Sequence, residues 1–141
     1  MEYRKSSNHY VVRIDRGEEV PEKLTELCSK EGIASGAVYG LGASDRVVIG
    51  LYSVSQQVYL KKELQGEMEI TSLIGNISRK DGAPYLHLHI NVCNPEMQVF
   101  GGHLNECRIS ATCELIVTPG EGGIGRRIDP QIGLNVYTFE Q

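Results

Sequence analysis

Hydrophobic residues follow two different periods along this chain, and the change between them separates a helix from a set of strands. The segment "EEVPEKLTELCSKEG" contains four apolar residues at the spacing of one face of a helix: Val20, Leu24, Leu27 and Cys28. Pro21 suits the first turn, and Gly32 is placed to end the helix. The pattern predicts one principal helix that packs one stripe against a core.

Beyond Gly32 the apolar residues alternate with polar ones or form β-branched runs, which is typical of strands. A first strand is expected earlier, at "HYVVRI". Further strands are expected over residues 37–41, 47–54, 58–63, 67–78, 85–93, 98–104, 108–118 and 134–139. Turn signals lie between them at "GASD", "RKDGAP", "CNPE" and "PGEGGIGRRIDPQIG". The segment "SRKDGAPY" predicts a hairpin turn between two long strands.

One helix combined with a mainly antiparallel sheet predicts a compact α+β fold, with a second short helix left open. The length of 141 residues suits one domain, residues 1–141, with a single core.

Charge and composition bear on partners and location. A net charge of −4 gives no general attraction to nucleic acid or to anionic lipid. The longest apolar runs have the length of strands, so no membrane span is expected. The start, "MEYRKSSNHY", lacks the apolar segment of a signal peptide, which favours the cytoplasm. Reduced and mostly buried thiols are therefore expected at all four cysteines: Cys28, Cys93, Cys107 and Cys113.

The segment "YLHLHINVCNPEMQVFGGHL" contains three of the four histidines. Strand alternation points its leucine, isoleucine and valine side chains to the core and points His87, His89 and Asn91 to the other face. Two imidazoles at this spacing have Cα atoms roughly 6.5–7 Å apart, so both rings can reach one metal ion. Surface histidines with no metal are the alternative interpretation.

A third imidazole joins these two if the chain reverses over residues 93–97, because "QVFGGHL" then returns beside "HLHI" and delivers His103. Gly101 and Gly102 carry no side chains and allow a ligand or backbone to approach closely. Three neutral imidazoles with an open fourth position are typical of reactive zinc sites. Iron, nickel and cobalt fit the same donors.

Three other segments contain residues that could take part in chemistry or ligand binding. Glu69, in "GEMEITSLIGNIS", is the candidate general base if the metal activates water. The segment "GEGGIG" matches a dinucleotide-binding pattern, but no helix pattern follows it, so a glycine loop is expected. The adjacent pair Arg126-Arg127 is interpreted as solvated loop charge.

The order of several motifs resembles the PPC domain, which is conserved between plants and prokaryotes. The matching segments are "RGEEV", "EGIASGAVYGLGASD", "LQGEMEITSLIGNIS", "DGAPYLHLHINV", "VFGGHL" and "CELIV". They run from about Arg13 to Val117 in the order of the family.

This resemblance implies an α+β domain that assembles as a homotrimer. It also implies that His87, His89 and His103 bind a metal, with zinc the usual suggestion for prokaryotic members. Plant members carry the domain beside AT-hook segments that bind DNA, and this chain has no AT-hook sequence. A DNA-binding role therefore rests on kinship of the fold.

The leading hypothesis is a small zinc-binding protein of the PPC type, with a regulatory role through DNA or a protein partner. The second is a metalloenzyme that acts on a small molecule, with Glu69 as its base. The third is a sequence-independent DNA binder that collects charges across the trimer.

Overall fold

The computed structural model describes residues 1–139. Over this range the chain forms eight strands and one helix, in the order β1 (Glu2–Ser6), β2 (His9–Asp15), α1 (Val20–Glu31), β3 (Gly36–Ser53), β4 (Val58–Lys80), β5 (Ala83–Cys93), β6 (Val99–Pro119), β7 (Gly125–Asp129) and β8 (Leu134–Thr138). The predicted α+β class and antiparallel sheet are confirmed. The second short helix is not present among residues 1–139.

Helix α1 forms as its sequence predicts. Proline lies in its first turn, and Gly32 ends it in the left-handed conformation at φ 66°. The amide of Ile33 donates to the carbonyl of Cys28 and closes the last turn at 2.9 Å. The four residues of the predicted stripe are buried, so α1 covers the core on one side.

Strands β1 to β6 form one antiparallel sheet in the order β1-β2-β6-β3-β4-β5, and β6 also pairs with β5. Strands β3, β4, β5 and β6 therefore close into a ring. The seam of this ring lies where residues 99–103 of β6 pair with residues 89–93 of β5. The apolar core lies between the inner face of the sheet and α1.

Three strands are longer than the sequence predicted. The segment "GASD" was expected to be a turn, but β3 continues through it with register shifts on both sides of Ser44. Such bulges keep a strand paired while it bends. The fully buried hydroxyl of Ser44 donates to the carbonyl of Arg108 at 2.7 Å, which satisfies a backbone group at the irregularity.

Two hairpins matter for the site. The predicted turn between β4 and β5 is confirmed: Lys80 pairs with Ala83 across Asp81 and Gly82, both of positive φ. The second hairpin, β7–β8, lies against β4, where the amide of Arg79 donates to the carbonyl of Ile124 at 2.8 Å. Strand β7 was not predicted, because the sequence indicated a long loop there.

Three of the thiols, those of Cys28, Cys107 and Cys113, are buried, and Cys93 is partly exposed. All four are free. No helix within residues 1–139 has the length and apolarity needed to cross a lipid bilayer.

Candidate metal centre

The three predicted histidine ligands lie together on the outer face of the sheet. His87 and His89 belong to β5, and His103 of β6 lies directly opposite His89 across the seam. One ring nitrogen of each histidine lies within 4.8 Å of those of the other two. A tetrahedral zinc ion with bonds of about 2.0–2.1 Å holds its ligand nitrogens about 3.3 Å apart. Small rotations of the three side chains therefore bring them onto one ion.

The strand pattern places these rings outside the core. Leu88 and Ile90 are buried, so the residues that alternate with them face outward, as the sequence predicted. Gly101 lies opposite Asn91, and a Cβ at this glycine would overlap the Asn91 side chain. The amide of Asn91 donates to the hydroxyl of Ser72 at 2.9 Å. The side chain of Asn91 therefore occupies the space over Gly101 and is held toward Ser72 on β4.

A pocket of about 460 Å³ opens over the three histidines. Gly101 and Gly102 form part of its floor. The tip of the β3–β4 hairpin supplies one wall and the β7–β8 hairpin supplies another, through these residues: Gly50, Leu51, Tyr52, Tyr59, Arg126, Gly133, Leu134 and Asn135. The ring of Tyr59 makes an edge contact with His103 at 6.1 Å between centroids. The volume suits a small molecule.

Burial keeps the imidazoles of His87 and His103 in the neutral form that binds metals. It lowers the pKa of His103 to about 4, with a smaller effect from the neighbouring histidines. Burial also lowers the pKa of His87, helped by the charge of Arg126. Both rings are therefore neutral at pH 7 and have a lone pair available for a cation.

Arg126 is a pocket residue that the sequence did not reveal. It was interpreted as solvated loop charge, but it lies on β7 with its guanidinium 4.6 Å from the ring centroid of Tyr85 and 4.4 Å from that of Tyr137. The only sequence signal that distinguishes it from Arg127 is the strand alternation of a short segment, "GRRID", that looked like loop.

Glu69, the candidate general base, lies elsewhere. It pairs with Cys93 on β5 and with Ala43 on β3, and it lines a separate groove with Glu67. Cys93 is four residues from His89, which corresponds to about 13 Å along a strand. None of the pocket-lining residues in the described range is an aspartate or a glutamate.

Comparison with known families agrees with this fold. The model of the Plants and Prokaryotes Conserved (PCC) domain, the family named PPC above, matches residues 1–121. The chain belongs to the PCC family. The motif order described from the sequence is thereby confirmed as a family relationship.

Several solved structures resemble this PCC domain over nearly its whole length. One from Bacteroides thetaiotaomicron, named a putative DNA-binding protein, is 34% identical, with a TM-score of 0.96 and coverage of 99% of this chain and 98% of that one. A metal-containing protein of Archaeoglobus fulgidus is 33% identical, with a TM-score of 0.88 and coverage of 97% and 96%. A PPC protein of Pyrococcus horikoshii is 31% identical, with a TM-score of 0.86 and coverage of 99% and 96%.

Among curated proteins, the PCC chain matches the bifunctional protein GlmU of a Synechococcus species at 28% identity over 127 residues. The match covers 88% of this chain and 19% of that protein. The chain therefore spans about a fifth of the curated relative that it matches.

Proposed function

We propose that this PCC-domain protein binds one divalent transition metal ion, with zinc the first choice, through His87, His89 and His103. The observation that carries the proposal is the convergence of three ring nitrogens within 4.8 Å of one another. The lowered pKa values of His87 and His103 favour the neutral ligand form. The metal-containing relative from Archaeoglobus fulgidus supports the same assignment.

The open side of the proposed metal faces the pocket. Three histidines leave one or two coordination positions for water or for an exchangeable ligand. When bound, the metal supplies Lewis-acid chemistry to a molecule in the pocket. This arrangement supports the metalloenzyme hypothesis, without the general base that the sequence suggested at Glu69.

Metal content tests the site directly. Protein prepared without a histidine tag is expected to hold about one equivalent of metal per chain in elemental analysis, because three ligands on two paired strands give a preorganised site. The variant His87→Ala/His89→Ala is expected to hold less than a tenth of that amount. The matched control is His9→Ala, since His9 lies outside the cluster and hydrogen-bonds only to Asn8 within the described residues. Equal metal content in all three proteins would contradict the proposal.

A homotrimer is the assembly that we propose. Apolar side chains form a row across four strands of the sheet, in the register order Val11, Ile116, Tyr39 and Ile74. Three of them are exposed and Ile116 is half-buried. Tyr39 is 55% exposed and Ile74 is 61% exposed. A contiguous apolar surface of this kind favours association of subunits. The next residue in the row is His89, so the same surface borders the metal site.

DNA binding is the second candidate, and the name of the Bacteroides relative favours it. Against it, the net charge of −4 gives one chain no general attraction to DNA, and the charges of Arg46 and Arg108 are paired with carboxylates. Binding through an assembled patch would weaken steeply with salt. Retention on duplex DNA at low salt supports this role, and no retention at any salt concentration contradicts it. A cytoplasmic location stays a prediction.

A further inference from the structure

Arg126 is held rigidly at the wall of the histidine pocket. Its Nε donates to the hydroxyl of Ser78 at 2.7 Å, and its Nη1 donates to the carbonyl of Asn135 at 2.9 Å. The faces of the guanidinium lie near Tyr85 and Tyr137. Stacking and neutral hydrogen bonds orient this group, and they leave its charge uncompensated.

The charge of Arg126 has no acidic partner in residues 1–139. Every ion pair of that range joins other residues, and the Nη2 group makes no hydrogen bond there. By contrast, the surface arginines Arg13, Arg46 and Arg108 each contact a carboxylate. A partly buried arginine without a carboxylate is a ready site for a bound anion, because the planar guanidinium matches two oxygens of one group.

The metal would add two further positive charges to the same pocket. Three neutral imidazoles do not offset them, and the lining residues of the described chain include no aspartate or glutamate. A low-polarity pocket with this excess of positive charge favours an anionic ligand. An anion in this pocket could then contact both the guanidinium of Arg126 and the open coordination position of the metal.

The rest of the pocket limits the size and kind of anion. Its walls include Leu51, Leu134 and three tyrosine rings, which suit an aliphatic or aromatic body. On the same wall, the Oδ1 of Asn135 is buried and accepts no hydrogen bond from residues 1–139. The volume of about 460 Å³ holds a small molecule.

We propose that the pocket binds a small monocarboxylate, with its carboxylate between Arg126 and the metal ion and its apolar body against the tyrosines. This inference rests on the proposed metal site. Arg126 acts as the residue that selects an anion and orients it toward the open coordination position. The sequence neighbour Arg127 is exposed on the other face of β7 and takes no part.

Cobalt-loaded protein provides the test, with butyrate as the probe and butyramide as its neutral isostere. Cobalt content is measured first in every protein, so that loss of the metal site is separated from loss of the anion site. Butyrate is expected to change the visible cobalt spectrum in a saturable manner, and butyramide is expected to leave it unchanged. The variant Arg126→Gln is expected to weaken butyrate binding by roughly 10- to 100-fold, the usual effect of removing a charged hydrogen-bond partner. Arg127→Gln is the matched control and is expected to bind like wild type.

A second measurement uses the unaltered protein, in case Arg126→Gln disturbs the β7–β8 hairpin. Phenylglyoxal modifies accessible arginines, and peptide mass spectrometry locates the adducts. Butyrate is expected to protect Arg126 in the metal-loaded protein and to leave modification of Arg127 unchanged. The proposal is overturned if cobalt binds but butyrate neither alters the spectrum nor protects Arg126, or if inorganic phosphate does both where butyrate does not. Failure to bind cobalt would instead overturn the metal site.

Discussion

Cys93 differs from the other three cysteines in its surroundings. It lies at the end of β5 with partial exposure, whereas Cys28, Cys107 and Cys113 belong to the core. Burial raises the pKa of Cys28 to about 11, and that of Cys107 and Cys113 to about 12. Since the thiolate is the reactive form, the three buried thiols are inert near neutral pH.

Alkylation of the native protein at pH 8 is therefore expected to modify Cys93 alone. Their raised pKa values keep the other three thiols almost wholly protonated at pH 8, and burial denies the reagent access to them, so they are expected to stay unmodified. Iodoacetamide labelling followed by intact-mass and peptide analysis measures this. Labelling in urea is the control and is expected to modify all four. Rapid native labelling of Cys107 would contradict the packing of the core.

Individual residues show what a sequence can reveal of this site. His87, His89 and His103 could be grouped from the sequence because alternation and one short reversal bring them together. Arg126 could not, because its side chain reaches the pocket from a hairpin that only tertiary packing places there. Glu69 is close to the histidines in sequence, yet the register of β4 with β5 sets it opposite Cys93. Register between long strands is decided by bulges and turns that local patterns do not specify.

The turn between β4 and β5 sets the register of the element that carries two of the histidines. Asp81 at φ 51° and Gly82 at φ 81° both have left-handed backbone conformations. This two-residue geometry matches the twist of the flanking strands, and glycine adopts it without strain.

Gly82→Ala is expected to lower the free energy of unfolding by about 1 kcal/mol, because alanine resists a positive φ. A Cβ at this position meets no atom within 4 Å, so the change tests backbone conformation and not packing. Urea denaturation of metal-free protein provides the measurement. Asp81→Asn is the control, since asparagine tolerates this conformation, and a change within about 0.5 kcal/mol is expected. Equal stability of Gly82→Ala and wild type would refute the role assigned to the turn.

Elements were predicted best where the pattern was strongest. Helix α1 follows from its stripe and its two end residues. Strands β1 and β7 were not predicted. The other strands were predicted, but β3 was divided, because its glycine and serine residues were interpreted as a turn. In the structure a backbone carbonyl of β6 lies so close to Gly42 that a Cβ would overlap it, so this glycine permits two strands to approach. This close approach depends on which strand lies beside β3, so the sequence of β3 alone does not reveal why the glycine is there.

The apolar row across the sheet predicts that the protein associates with copies of itself. Light scattering during size exclusion is expected to give a mass three times the 15.6 kDa of one chain. Tyr39→Lys/Ile74→Lys is expected to give the mass of a monomer, since two charges then interrupt the row. Val54→Lys, at the β3–β4 turn, is the control for an added exposed charge and should retain the wild-type mass. A monomeric wild type would contradict the proposed trimer.

The class of fold could be predicted from the sequence, but the closure of the sheet could not. Composition and period indicate one helix and many strands. Closure requires β6 to pair with both β3 and β5. Residues 99–103 can pair with β5 only after the chain reverses direction about Asn94. These pairings join strands that are far apart in sequence, so local sequence patterns do not specify them.

The seam between β5 and β6 is the shortest joint of the ring, and it carries histidines on both edges. A cation bound there would cross-link β5 to β6, because its ligands come from both strands. Backbone amides of the seam should then exchange with deuterium more slowly in the metal-bound protein than in the metal-free protein. The exchange rates of β1 amides should be the same in both. A chelator that removes the ion would destabilise the pairing of β5 with β6. Metal occupancy and the rigidity of the ring would therefore increase or decrease together.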